Sequence, residues 1–265
     1  MSRAAEIRST GAATEDQGNS GRDALPLGYL QKSQTPLTCL VFLLPMLVLY
    51  EVGTHYFATD LRHHTETRIR AFDYMLQFFQ LFGAGGKYLP VLAVPAILLA
   101  WHIARKDEWE IDFGTTTCMT LESVIWCLPL FALDALSKTY IPLQSGGQPT
   151  AAWPEMIVLS VGAGIYEELV FRLAAFTVLS ILLVDLLRIH RAGSIPLMVV
   201  LSALLFAKYH YQEGGEPFLW QTFAFRTGAG IYFGALFFRR GFGVTCGTHS
   251  AYDIIAVLLP AFTSR

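Results

Sequence analysis

Charge is what this chain is short of: 15% of its 265 residues are Asp, Glu, Lys or Arg, where a soluble domain carries about 25%. So sparse a charged surface argues against a water-soluble globule. A basic excess is missing too, the net charge being -2, which excludes the electrostatic footprint of a nucleic-acid partner. Closely spaced cysteines are absent. Cys39, Cys118, Cys127 and Cys246 stand singly in apolar runs, which excludes a zinc ribbon or a redox pair and predicts buried thiols. Residues 1–35 lack the apolar core of a secretory signal; rich in Ser, Thr, Gly, Ala and charge, they are expected to form a disordered tail. The sequence holds no internal repeat.

What it has in plenty is long apolar blocks: 53% of residues are hydrophobic and the mean hydropathy is +0.44. Of the runs at 37–57, 88–104, 118–136, 154–187, 195–212, 218–238 and 243–260, each except the fourth is close to the length a helix needs to cross a bilayer. They predict an all-α, polytopic transmembrane bundle of seven to eight helices over 36–265, integral to the bilayer. The run 154–187 is too long for one crossing, so it is either one long tilted helix or two that break near Gly162 and Gly164. Residues 68–82 place Ile69, Phe72, Met75, Leu76 and Phe79 on one side at helical spacing, with Arg68, Arg70 and Asp73 elsewhere. That pattern predicts an amphipathic helix, either lying at the interface or capping the bundle. Basic residues in the short loops, among them Arg105, Lys106, Arg188, Arg191, Arg239 and Arg240, favour a cytoplasmic N-terminus. The loop around Gly146 and the segment 213–216 then face outward.

Against this background the stretch Gly-Ile-Tyr-Glu-Glu-Leu-Val-Phe-Arg, residues 164–172, stands out. An ionisable side chain at mid-membrane costs on the order of 2.5 to 3.5 kcal/mol, so Glu167, Glu168 and Arg172 facing lipid would cost roughly 7 to 10 together. They must face the protein interior or water. Glu168 and Arg172 are four apart with the acid first, the favourable order for a helical ion pair. Glu167, about 100° further round, is left without that partner, and an acid in a partly dry cavity beside another acid suits a general base. His210, one turn after Phe206, and His249, one turn before Asp253, interrupt two further apolar helices. Three carboxylates and two imidazoles in low dielectric form a proton-handling set. Each part also has a plain structural use: the ion pair can fix helix packing, His210 can be a satisfied core histidine, and His249 with Asp253 can be an interhelical hydrogen bond. Phe206 reads as packing, Lys208 and Arg226 as snorkelling cations.

Taken in order on successive membrane helices, Glu-Glu-x-x-x-Arg, Phe-x-x-x-His and His-x-x-x-Asp resemble the motifs of the CPBP intramembrane endopeptidases. That family includes the type II CAAX prenyl endopeptidases and bacteriocin-processing or immunity homologues. The resemblance covers about 118–260 and implies a helical bundle around a polar cavity, in which a glutamate activates water to cleave a peptide bond. By this resemblance Glu167 is the general base, His210 positions or deprotonates the water, and His249 with the residue at 253 hydrogen-bonds the oxyanion. Glu168 and Arg172 hold their helix in register. One departure matters: the family commonly has Asn where this chain has Asp253, and an ionised Asp repels an oxyanion. Its expected use is to hold the His249 ring.

Two carboxylates and two histidines also offer zinc a ligand set, with Glu167, His210 and His249 as the ligands. The His-Glu-x-x-His signature is missing, however, and Arg172 would set a positive charge near the cation. A metal-free site, with no cofactor, is the expectation; the resemblance leaves zinc open. The expected partners are a peptide or protein substrate at the membrane and the bilayer itself, with no nucleic acid. Two other classes fit the same residues: a proton-coupled transporter, and a catalytically silent homologue acting as an immunity or binding protein.

Overall fold

The computed structural model describes residues 28–60, 65–140, 152–212 and 217–263. The expected tail over 1–27 and the segments around Gly146 and 213–216 lie outside them. Among the described residues the structure is all-α apart from one two-residue antiparallel ladder, β1 (Thr59–Asp60) with β2 (Thr65–Glu66). Within the stretch expected as tail, α1 (Tyr29–Lys32) is a single helical turn.

Helix starts follow local chemistry. In α2 (Pro36–Phe57) the Thr35 hydroxyl accepts the Thr38 N–H at 3.4 Å and Pro36 takes the first position, where no N–H is needed. In α5 (Phe113–Trp126) the Asp112 carboxylate accepts the N–H groups of Gly114 and Thr115 at 2.9 and 3.3 Å. After a break at Cys127 the chain goes on as α6 (Leu128–Tyr140). Between α2 and α5 come the amphipathic α3 (Arg70–Leu81), which buries Ala71 and Phe72, and α4 (Leu89–Arg105). Beside them Arg68 joins Glu51 to Glu66, and its hydrogen bonding holds the Glu66 carboxyl below the usual carboxylate range.

The fourth apolar run does not break at its glycines. It forms one 34-residue rod, Trp153–Leu186, about 50 Å long at 1.5 Å per residue. Its parts are α7 (Trp153–Glu168), a π-helical turn at Leu169–Ala174, α8 (Ala175–Ser180) and a second π-helical turn at Ile181–Leu186. Gly162 and Gly164 serve instead as contact points. A Cβ at Gly162 would meet the Tyr50 ring at 2.2 Å, and one at Gly164 would meet Ser250 Oγ at 2.0 Å and the Cys246 carbonyl at 2.8 Å.

The last two apolar runs are the arms of one kinked element, α10 (Trp220–Thr263), which follows α9 (Arg191–Tyr209). The kink is Gly241, with φ 80° and ψ -178°, a backbone that residues with a Cβ avoid. The residues around Tyr29 are pinned beside it. Arg240 clasps Glu122 through Nε at 2.5 Å and Nη2 at 2.7 Å, and Tyr29 donates its hydroxyl to the same carboxylate. Burial, then that bond, pushes the Tyr29 phenol up to about 12.

Among the described residues five helices, with α5 and α6 taken together, are long and apolar enough to cross a membrane, and α4, with 17 residues, is shorter. Large apolar side chains such as Leu44, Leu92, Leu121, Ile181 and Leu205 are exposed on the outside of the bundle, an arrangement that suits lipid and would be unfavourable in water. Of the four cysteines Cys39, Cys127 and Cys246 are buried, whereas Cys118 is exposed, contrary to the expectation of four buried thiols. Its position on α5 turns it out of the bundle, and an apolar sequence context does not separate core from lipid-facing positions.

Candidate active site

The site forms where α7, α9 and the second arm of α10 cross. Gly164 lets α10 approach α7 at Ser250 and Cys246, and Gly230 lets α9 approach the first arm of α10, its Cβ position lying 2.8 Å from Ala203 Cα. These crossings set the end of α7 opposite His249.

Glu167 and Glu168 are the last two residues of α7, and Arg172 sits in the π-helical turn that follows. Such wide turns are frequent at functional positions. Glu168 and Arg172 are fully buried and paired, with Nη1 to Oε1 at 3.0 Å. Arg172 also donates Nη2 to the Gly230 carbonyl at 3.4 Å and lies over the rings of Phe206 and Phe233, 4.5 and 5.3 Å from their centroids. Phe206 is thus more than packing, since it covers the buried cation.

The same Glu168 Oε1 has a second contact that the sequence reading did not foresee: His249 Nδ1 reaches it at 2.7 Å. A carboxylate only accepts, so Nδ1 carries the proton. The other nitrogen, Nε2, lies 3.8 Å from Glu167 Oε2 and 3.5 Å from Asp253 Oδ2. The ring stacks on Phe233, centroids 4.6 Å apart at 20°. Asp253 thus stands 3.5 Å from the ring it was expected to hold, at its more exposed edge, and Glu168 adds a shorter bond on the other nitrogen. Glu168 is fully buried and bonded at 2.7 Å, which makes it the tighter anchor.

Glu167 is 6% exposed and its Oε1 accepts the hydroxyl of Tyr209 at 3.2 Å. Tyr209 was missed in the sequence, where a search at four-residue spacing selects Phe206 and His210 and passes over the residue between. His210, at the end of α9, hydrogen-bonds through Nδ1 to the Phe206 carbonyl at 2.9 Å. A carbonyl only accepts, so Nδ1 holds the proton and Nε2 is left with its lone pair. Among the described residues the direct hydrogen bond from α9 to Glu167 comes from Tyr209, not His210. Lys208 is exposed, and Arg226 lies over the Tyr211 ring, 5.3 Å from its centroid.

Among the described residues no group of three or more His, Cys, Asp or Glu side chains could hold a metal ion. Glu168 is already bonded to both His249 and Arg172. Glu167, His210 and His249, the residues that would be the ligands if zinc were bound, do not form such a group.

An apolar cavity of about 800 Å³ lies beside the carboxylates rather than over them. It is an open groove between α3, α4 and the π-helical turn, with Tyr74, Phe78, Leu92, Leu169, Val170 and Leu173 in its wall.

Residues 149–255 match the family described as type II CAAX prenyl endopeptidase Rce1-like. The matched stretch contains Glu167, Glu168, Arg172, His210, His249 and Asp253. It is narrower than the span 118–260 over which the motifs suggested a resemblance. No curated protein and no solved structure matches the chain.

Proposed function

We propose that this chain, whose residues 149–255 match the Rce1-like family, cleaves membrane-associated or lipid-modified peptides with a water molecule activated by Glu167. The match supports intramembrane proteolysis. The observation that carries the finer reading is the buried Glu167 with Oε2 turned to His249 Nε2 across 3.8 Å, a gap longer than a hydrogen bond.

In this reading Glu167 takes a proton from water, and the resulting hydroxide attacks the scissile carbonyl. The negative charge then develops on the carbonyl oxygen. His249, its Nδ1–H given to Glu168, presents Nε2 to that oxygen and donates when protonated; one such donor contributes about 10² to 10³ in rate. The lone pair of His210 Nε2 orients the water. Glu167 returns its proton to the departing amine, which restores the carboxylate and breaks the C–N bond. The apolar cavity beside the π-helical turn offers room for a lipid chain on the substrate. A cytoplasmic N-terminus is part of the proposal and rests on the basic loops.

Asp253 has a graded role in this scheme. Asp253→Asn is expected to keep activity within a few-fold of wild type, because the amide retains an oxygen facing Nε2. Asp253→Ala is expected to cleave about 10-fold more slowly, the scale of one hydrogen bond; full activity in the Ala variant removes Asp253 from the mechanism.

The test of the function is a search for new peptide termini in membranes carrying wild type and Glu167→Gln at matched expression. Termini present with wild type alone are expected. Their absence from both samples overturns the reading in favour of a silent homologue.

A further inference from the structure

We infer that Tyr209 is a positioning residue for Glu167, fixing which carboxylate oxygen faces the reacting water; this rests on the reading of Glu167 as general base. The phenol donates to Oε1 at 3.2 Å, so that Oε2 is the oxygen left turned toward His249 Nε2 at 3.8 Å. A carboxylate on a flexible side chain otherwise exchanges its two oxygens and samples several rotamers, and a base out of line by a fraction of an ångström loses rate.

Tyr209 is itself held from several sides. Its ring meets Phe171, Tyr74 and His210 with centroids 5.1, 5.8 and 4.9 Å away. Arg70 donates to its backbone carbonyl at 3.2 Å and lies 5.9 Å from its ring centroid. The amphipathic helix α3 thus braces, through Arg70 and Tyr74, the side chain that bonds the base.

The experiment measures kcat, KM and Tm for purified wild type, Tyr209→Phe and Glu167→Gln on a peptide substrate in detergent. Phe keeps the ring and removes only the donor. The expected result is a kcat lower by about 10- to 100-fold, the size of one hydrogen bond to a charged group, with KM within about two-fold and Tm unchanged. An unchanged kcat for Tyr209→Phe beside an inactive Glu167→Gln overturns the positioning role and leaves the base in place. A fall in Tm, or failure to fold, assigns the hydroxyl to stability and also overturns it. Full activity in both variants overturns the reading of Glu167 and this inference with it.

Discussion

Glu167→Gln is expected to cleave peptide at least about 10³-fold more slowly than wild type, within the range contributed by a positioned general base. The substitution is nearly isosteric, and the amide oxygen can still accept the Tyr209 hydroxyl that now lies 3.2 Å from Oε1. Packing against α9 and α10 therefore survives. What is lost is the capacity to take a proton from water, since an amide oxygen is a very weak base. The comparison belongs in detergent micelles with an equal Tm for the two proteins as the control for folding. A proton-coupled transporter has no gradient to work with there, so cleavage by wild type and its loss in the variant separate the two classes. Full activity in Glu167→Gln eliminates the glutamate mechanism.

Arg172→Met is expected to lower the unfolding free energy by about 3–5 kcal/mol, because it leaves a buried carboxylate without its cation. Both partners are inaccessible to solvent and 3.0 Å apart, so water cannot compensate for the lost charge. The damage extends to catalysis, since Glu168 also holds His249 at 2.7 Å. Replacing both partners, as Glu168→Gln with Arg172→Met, is expected to recover much of the stability, as two neutral groups need no pairing. It does not restore activity, because the anchor of His249 has changed. Denaturant or thermal unfolding of the single and double variants checks the first statement, and peptide cleavage by the double variant checks the second. Equal stability of single and double variants refutes the account of the ion pair.

The transmembrane character and the residues of the candidate site were legible in the chain because both rest on quantities that local sequence carries. Run length against bilayer thickness identifies α2, α9 and the long α7 rod. The cost of charge in lipid makes Glu167, Glu168 and Arg172 conspicuous, and the four-residue spacing pairs two of them correctly. The glycines were not legible. Gly162 and Gly164, where a break was one of two expectations, admit a neighbouring helix instead, while Gly241, between two apolar runs, supplies a backbone turn at φ 80°. Which use a glycine has depends on what packs across from it. In the same way Cys118 could not be told from its buried counterparts, whereas the two runs at 218–238 and 243–260 do correspond to the two arms of α10 on either side of Gly241.

The wiring of the site also lay beyond the motifs. They name Glu168, His249 and Asp253, but that Glu168 rather than Asp253 holds Nδ1 of the imidazole follows from the rotation of α10 against α7. That Tyr209 rather than His210 bonds Glu167 follows from the rotation of α9. Hydropathy and spacing act along one helix at a time, so they settle which segments enter the membrane and which charges they carry inward. Distances of 2.7 to 3.8 Å between side chains 42 to 82 positions apart arise only when three helices have packed, because a turn of one helix by 100° exchanges the residue that reaches the carboxylate.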